Sequence, residues 1–244
     1  MSEYQTLFKR RSVRKFDKIL RVSEKELADL HAFIGTCVPL VASIATEVRV
    51  VKREQTDCRW GEYAILFFSE KKEGYLENAG YMGEQIDLYL AEHNLGACWY
   101  GMASCREKAP EGMDFVILIS FGKSREEDFR TDRGEFQRKD LSKILEGEAA
   151  GALLEALEDA RFAPSACNSQ PWRVQVTGNT LTVCRHSDSP LAKVIKKIPN
   201  YFNRIDVGIY LCFLERALSQ KGISFQKSAD FGMGEAPVCY SFTK

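Results

Sequence analysis

Two short segments of this 244-residue chain hold the residue types best suited to binding a ligand. The first, KRRSVRKF, occupies residues 9–16. Its guanidinium groups at Arg10, Arg11 and Arg14 and the hydroxyl of Ser12 suit a phosphate monoester, whose dianion needs several charge-assisted hydrogen bonds. A basic run of this kind can also be no more than a solvated cationic surface. The segment alone leaves both interpretations open.

The second segment, APSACNSQPW at residues 163–172, is rich in amide and hydroxyl groups. Pro164 restricts the turn, while Ser165, Asn168 and Gln170 offer donors and acceptors in a short irregular stretch. Such a stretch could bind the edge of a planar heterocycle. The alternative is a helix end and a turn, followed by a core tryptophan.

The composition is that of an ordinary globular protein without a general affinity for polyanions. The chain has 34 basic and 34 acidic residues, and 45% of its residues are hydrophobic. The zero net charge argues against nucleic acid as a partner. The start has no signal-peptide pattern, and the longest apolar-rich run, residues 32–46, is too short for a membrane helix. We therefore expect a cytoplasmic protein that does not contact membranes.

The cysteines and histidines give no indication of a metal site. None of the eight cysteines forms a Cys-x-x-Cys pair, so we expect free thiols that pack as small apolar groups. The three histidines are scattered along the chain, and we assign none of them a catalytic role.

Hydrophobic periodicity predicts the elements that position the two segments. Ser23 and Glu26 form a capping-box pattern at the start of a helix. Further helices are predicted at 77–94, 153–162 and 205–220, and strands at 47–51, 63–68, 115–121, 173–177, 180–184 and 238–242. The two long helices, 77–94 and 205–220, are apolar enough for burial on more than one side, and we expect them to meet at the centre between the two halves of the chain.

The order of helix, strand pair, long helix and closing strand occurs twice, which is typical of an internal repeat. An offset of 126 positions places Val48 on Val174 without a gap. We predict a divergent duplication with a first half at 1–123, a charged connection at 124–148 and a second half at 149–244. Each half holds one of the two polar segments, and the other half lacks it.

Together, the two segments resemble the signature of the nitroreductase family, whose members are oxidoreductases of α+β fold that use flavin mononucleotide (FMN). RRSVRKF is similar to the family's N-terminal element, and APSACNSQPW is similar to its PSxxNxQPW element. FVILISFGK and QRKDLSKIL also look like family segments. In typical members the second motif follows the first by a few tens of residues, whereas Ser12 and Pro164 are 152 positions apart here.

This spacing has a natural interpretation within the family. Typical members are dimers that hold each FMN with one motif from each subunit. The resemblance therefore implies two tandem divergent copies of a nitroreductase-like α+β fold, which form a pseudo-dimer within one chain. Such a chain would keep a single flavin site and would have little need of a partner, so we expect a monomer.

The resemblance also assigns cofactor-binding residues. The FMN phosphate would be held by Arg10, Arg11, Ser12, Arg14, Arg138 and Lys139. The isoalloxazine and ribityl parts would be contacted by Pro164, Ser165 and Asn168, with Gln170 and Trp172 supporting the loop. A backbone amide that faces flavin N5 is expected from a loop within 225–234, whose first-half counterpart is the loop at 99–101.

The implied activity is that of an FMN-dependent NAD(P)H oxidoreductase. Hydride would pass from NADH or NADPH through flavin N5 to a nitroaromatic, a quinone or a similar small-molecule acceptor by a ping-pong mechanism. The flavin would carry the chemistry, with no catalytic side chain. The alternative is a non-catalytic protein of the same fold that binds or carries flavin or has lost it. A nucleic-acid-binding module that uses the N-terminal basic cluster is a third hypothesis, which the zero net charge disfavours.

Overall fold

A computed structural model describes residues 3–16, 19–186, 197–229, 231 and 238–242. The helices of these residues are α1 (Glu3–Lys9), α2 (Glu24–Ile34), α3 (Tyr75–Glu92), α4 (Gly151–Ala160) and α5 (Lys197–Gln220). The strands are β1 (Thr46–Lys52), β2 (Tyr63–Ser69), β3 (Leu95–Tyr100), β4 (Asp114–Lys123), β5 (Leu145–Glu146), β6 (Trp172–Thr177), β7 (Thr180–Arg185), β8 (Phe225–Ala229) and β9 (Val238–Phe242). No helix among the described residues is long and apolar enough to cross a membrane.

The start of α2 confirms the predicted capping box. The backbone amide of Glu26 donates to Oγ of Ser23 at 3.2 Å, and the amide of Ser23 donates to Oε2 of Glu26 at 2.9 Å. These two bonds satisfy backbone donors that the helix itself leaves open.

The chain divides into two compact units, of which the first comprises Met1–Tyr75 and Met82–Glu135. Its antiparallel sheet has the strand order β1-β2-β4-β3. Strand β2 is central, and its apolar residues 64–68 are all fully buried. The continuous apolar run therefore forms a covered strand, as the sequence predicts.

The second unit comprises Leu76–Tyr81 and Phe136–Lys244, and its sheet has the strand order β5-β6-β7-β9-β8. The hairpin β6–β7 turns at Gly178, whose φ of 57° lies in the left-handed region. In the core of this unit, the rings of Trp172 and Tyr210 stack with their centroids 4.7 Å apart.

Both units order their strands in the same way. The order β1-β2-β4-β3 of the first unit returns as β6-β7-β9-β8 in the second, where β5 adds a parallel edge. A short helix precedes each series, and a long helix, α3 or α5, connects its second strand to its third. The repeated order of elements that the sequence indicates is thus present in the topology.

The beginning of α3 packs tightly against α5 within the second unit. A Cβ atom placed on Gly80 would lie 2.0 Å from the carbonyl oxygen of Ile205, and one on Gly208 would lie 2.0 Å from that of Glu77. Arg204 adds a bidentate ion pair to Glu77, at 2.7 and 2.9 Å. The two long helices therefore meet, as predicted, and glycine allows their backbones to approach.

The predicted first-half loop at 99–101 is mostly strand, so this prediction was wrong. Leu95 begins β3 instead of only ending α3, and Trp99 and Tyr100 belong to that strand. In the second half, where a loop is expected within 225–234, residues 225–229 form β8. Of the remaining five residues only Phe231 is described, so this prediction stays a prediction. Strand β8 is a mostly exposed edge strand, so it lacks the apolar alternation that would predict it.

The predicted charged connection at 124–148 contributes to both units. It forms the short 3₁₀ helices Glu126–Asp128, Arg133–Glu135 and Leu141–Lys143 and the strand β5. Although the segment is mostly charged, Phe129, Leu141 and Ile144 are buried.

Candidate functional site

The N-terminal segment exposes only part of its positive charge. The amide of Val13 donates to the carbonyl of Ala97 in β3 at 2.8 Å, and Ser12 forms a parallel bridge with the same residue. This attachment buries the side chains of Arg10 and Val13 and leaves Arg11 exposed.

Arg10 is the buried member of the cluster, with 3% of its side chain exposed. Its Nε donates to Oδ2 of Asp87 at 2.7 Å, and its Nη2 donates to Oγ of Ser12 at 3.2 Å. Burial acts to lower the pKa of Arg10, but the carboxylates of Asp87 and Glu84 outweigh it and raise that pKa. Arg10 therefore balances charge inside the first unit.

Arg11 and Arg14 are the cluster arginines that face solvent. Nη1 of Arg11 lies 3.6 Å from Oε2 of Glu135, and half of the Arg11 side chain is exposed. Cζ of Arg14 lies 5.4 Å from the ring centroid of Trp60. Since exposed ion pairs contribute little free energy, both guanidinium groups can still bind an anion.

The second segment forms a strained loop in the second unit. Cys167, Asn168 and Gln170 have φ values of 52°, 56° and 50°, in a region that residues with a side chain rarely adopt. A short 3₁₀ turn, Ala166–Asn168, contains the first two of these residues. Such a conformation persists only where the surrounding contacts fix it.

Gln170 supplies many of those contacts from a buried position. Its amide N–H donates to Oγ of Ser165 at 2.9 Å, and its side-chain Nε2 donates to the carbonyl of Asn168 at 3.1 Å. Its Oε1 accepts from the amide of Lys139 at 2.7 Å. Gln170 thus connects both ends of the loop to the segment that carries Arg138 and Lys139.

Arg138 and Asn168 are brought together on this loop. Nη1 of Arg138 donates to Oδ1 of Asn168 at 2.6 Å, and Nε of Arg138 donates to the carbonyl of Ala163 at 3.0 Å. Nδ2 of Asn168 donates to the carbonyl of Gln137 at 2.6 Å. Of the residues named from the sequence, Pro164 and Gln170 are buried, Ser165, Arg138 and Lys139 are half-buried, and Asn168 is exposed.

Asp206 of α5 is a residue of this region that sequence analysis missed. Its carboxylate accepts from the amide of Ala166 at 2.9 Å and from Oγ of Ser169 at 3.4 Å, and the residue is almost completely buried. Burial outweighs both hydrogen bonds and raises the pKa of Asp206 to about 7. A single acidic residue within the apolar run IDVGIYLCFL was the available signal.

The described residues contain no group of three or more His, Cys, Asp or Glu side chains arranged to hold a metal ion. The first segment offers guanidinium, ammonium and hydroxyl groups, which suit an anion. The second offers amide and hydroxyl groups, which suit a polar heterocycle.

Comparison with known proteins matches residues 3–218 to the family model described as "Putative TM nitroreductase". A solved protein of Thermotoga maritima described as a "putative nitroreductase" is 22% identical, with a TM-score of 0.68, and the match covers 100% of this chain and 95% of that chain. The search of curated proteins finds no match.

Two further solved structures match a smaller part of the chain. A "putative nitroreductase in complex with FMN" from Desulfovibrio desulfuricans is 17% identical, with a TM-score of 0.46 and coverage of 62% of this chain and 99% of that chain. An "FMN-dependent nitroreductase" from Clostridium difficile is 21% identical, with a TM-score of 0.45 and coverage of 57% and 95%. The full-length match to the Thermotoga protein shows a mixed α/β nitroreductase fold.

Proposed function

Since the chain belongs to the family described as "Putative TM nitroreductase", we propose that it binds FMN and acts as an NAD(P)H oxidoreductase. The observation that carries this proposal is the family match over residues 3–218, which includes both polar segments. Bound FMN would supply the redox chemistry, by accepting hydride from NADH or NADPH and reducing a nitroaromatic, a quinone or a similar small molecule.

The N-terminal segment fits the phosphate end of FMN. Arg11 and Arg14 present exposed guanidinium groups, which form strong charge-assisted hydrogen bonds with phosphate oxygens. Ser12 adds a hydroxyl between them. The side chain of Arg10 is engaged by Asp87, so we assign it the task of fixing the backbone that carries the other donors.

The second segment fits the polar edge of the flavin. Ser165, Asn168 and the backbone of the strained loop offer both donors and acceptors. Gln170 and Asp206 hold the loop from buried positions, so it is already ordered before a ligand arrives. Binding then costs less conformational entropy. Arg138 and Lys139 would add positive charge, which stabilises anionic parts of the cofactor.

We further propose that the chain arose by duplication and binds one FMN with both segments. The repeated strand order supports the duplication. Each polar segment is present in only one copy. This supports a single site, because a second site, built from the corresponding parts of the other copy, would lack both segments. A chain of this kind is expected to act as a monomer.

The first test is the visible absorption spectrum of the purified full-length protein, before and after FMN is added and the excess removed. We expect about one flavin per chain. We also expect Arg11→Ala and Arg14→Ala to weaken FMN binding about tenfold each, because each removes one charge-assisted hydrogen bond. Lys25→Ala is the matched control, since this exposed lysine of α2 should leave FMN affinity unchanged.

The second test is oxidation of NADH and NADPH by the flavin-loaded protein, with a nitroaromatic or a quinone as acceptor. Steady turnover is the expected result. Flavin that stays bound without turnover would favour the alternative of a flavin carrier. Two flavins per chain would contradict the proposal of a single site.

A further inference from the structure

A pocket of about 620 Å³ opens in the first unit. Its wall is formed by the end of the basic segment 9–16 and the residues after it, by the connection between β1 and β2 with the adjoining strand ends, and by the C-terminal end of β4. The volume lies within the range of about 300–1,000 Å³ that is usual for small-molecule sites. The pocket is therefore large enough for a ligand the size of a nucleotide.

The wall of this pocket is strongly cationic. Two acidic side chains, Glu54 and Glu62, line it. Six basic side chains line it as well: Arg14, Arg21, Lys52, Arg53, Arg59 and Lys123. A concave surface with charge of predominantly one sign concentrates ligands of the opposite sign.

Both acidic side chains are already engaged. Oε1 of Glu54 accepts from Nη2 of Arg53 at 2.8 Å, and Oε2 of Glu62 accepts from the backbone amide of Val22 at 3.0 Å. The hydrogen bond from Arg53 is the largest cause of the lowered pKa of Glu54. Within the described residues, neither carboxylate forms an ion pair with the remaining cations of the wall.

Most of these cations have no carboxylate of the described residues within ion-pair distance. Arg53 pairs with Glu54, and Lys123 pairs with Glu26 of α2. The others form no ion pair with any carboxylate of the described residues: Arg14, Arg21, Lys52 and Arg59. Four cations without an ion pair among the described residues surround one pocket, which matches the charge of a di- or triphosphate better than that of a single carboxylate.

Aromatic rings form the other part of the wall, at Phe16, Trp60 and Tyr63. Trp60 contacts the ring of Tyr100 edge to face at 5.0 Å, and Tyr63 stacks on Phe121 at 5.6 Å between ring centroids. These contacts fix the planes of two rings before a ligand binds. Fixed aromatic faces favour a flat heterocycle, which can stack on them.

The backbone beside these rings is held in place by β4. The amide of Glu62 donates to the carbonyl of Phe121 at 2.8 Å. Gly61 has a φ of 75°, and a Cβ atom on it would lie 2.6 Å from the same carbonyl oxygen. Only glycine permits this approach, so the wall that carries Trp60 is fixed in position.

We propose that this pocket binds a nucleotide that carries at least a diphosphate, at a site additional to the one proposed for FMN. The cations would bind the phosphates, and the aromatic rings would stack with the base. Neither feature alone requires a nucleotide, but a phosphate chain attached to a planar base uses both. Arg14 lines this pocket and is also proposed to bind the phosphate of FMN. The test therefore changes residues that line this pocket and are not proposed to bind FMN.

The experiment is calorimetric titration of the full-length protein with ADP, with inorganic pyrophosphate and with adenosine. We expect ADP to bind at least about tenfold more tightly than either of the other two. Lys52→Ala and Arg59→Ala should each weaken ADP binding about tenfold, because each removes a charge-assisted contact. Lys71→Ala, at an exposed lysine paired with Asp114, is the matched control and should change nothing.

Further titrations distinguish this proposal from the proposed binding of FMN. ADP should bind to FMN-free protein and should still bind to FMN-saturated protein, with affinity lower by no more than about tenfold, because only the contact with Arg14 is shared. Loss of ADP binding on FMN saturation, with FMN affinity reduced by Lys52→Ala and Arg59→Ala, would assign the pocket to FMN and overturn the proposal. Equal affinity for pyrophosphate and ADP, or no binding of ADP, would also overturn it.

Discussion

Nε of Arg10 lies 2.7 Å from Oδ2 of Asp87, and both side chains are almost completely excluded from solvent. Nε1 of Trp99 donates to the same oxygen at 2.9 Å. Both donors bind Oδ2 of Asp87, while its Oδ1 is buried without a hydrogen-bond partner among the described residues, so the carboxylate depends on these two donors for its compensation. One arginine of the basic cluster therefore belongs to the core, while its neighbour Arg11 remains at the surface.

Removal of the Asp87 carboxylate should destabilise the protein strongly. In Asp87→Ala, the buried guanidinium of Arg10 loses the carboxylate that is hydrogen-bonded to it, and we expect the free energy of unfolding to fall by about 3–5 kcal/mol. Urea denaturation of the purified variant measures this change. Asp29→Ala is the control, because it breaks the exposed 2.7 Å pair with Lys25 and should cost less than about 1 kcal/mol. Equal losses in the two variants would show that Arg10 is not buried as a charge.

A single methyl group at the contact of α3 and α5 should also destabilise the second unit. In Gly208→Ala, the new Cβ would lie 2.0 Å from the carbonyl oxygen of Glu77, and backbone cannot rotate away as a side chain can. We expect a loss of at least about 1–3 kcal/mol, seen as a lower midpoint of thermal unfolding. At Gly35 the φ is −65° and the nearest atom to a Cβ lies 3.4 Å away, so Gly35→Ala should have little effect. A normal midpoint for Gly208→Ala would contradict the close packing of these helices.

The elements that the sequence predicts well are those with a local physical cause. The capping box at Ser23 and Glu26 acts within four residues, and the apolar run of β2 is covered on both faces whatever its partners are. In contrast, β8 has an exposed and polar composition and exists because its backbone pairs with β9. The cause of such a strand lies in a distant part of the chain.

The geometry of the candidate site also depends on distant parts of the chain, so the local sequence predicts it only in part. RRSVRKF predicts a cluster of donors, but the partner that buries Arg10 lies 77 positions away in α3. Asp206 lies 40 positions from Ala166, and its carboxylate accepts a hydrogen bond from the amide of that residue. The left-handed conformation of Cys167 has no local cause that the sequence reveals, because it depends on the contacts that fix the loop.

Asp206 should make the stability of the second unit depend on pH. Its pKa is raised from 3.8 to about 7 in the folded chain, chiefly because it is buried. The folded state therefore binds the proton more tightly than the unfolded state. The stability that this proton contributes is complete below about pH 4 and is lost as the pH rises through about 7, at about 1.4 kcal/mol per pH unit.

Asp206→Asn tests this dependence while it keeps an acceptor for the amide of Ala166. We expect the variant to gain stability relative to the natural chain as the pH rises from about 4.5 to about 7, measured by urea denaturation at several pH values. Asp57→Asn is the control with the opposite sign, since hydrogen bonds from Ser104 lower the pKa of Asp57. The stability that Asp57 contributes is already complete in this range, so the difference between Asp57→Asn and the natural chain should not vary with pH. If the difference in stability between Asp206→Asn and the natural chain is also constant with pH, the carboxylate of Asp206 is ionised in this range and its pKa is not raised.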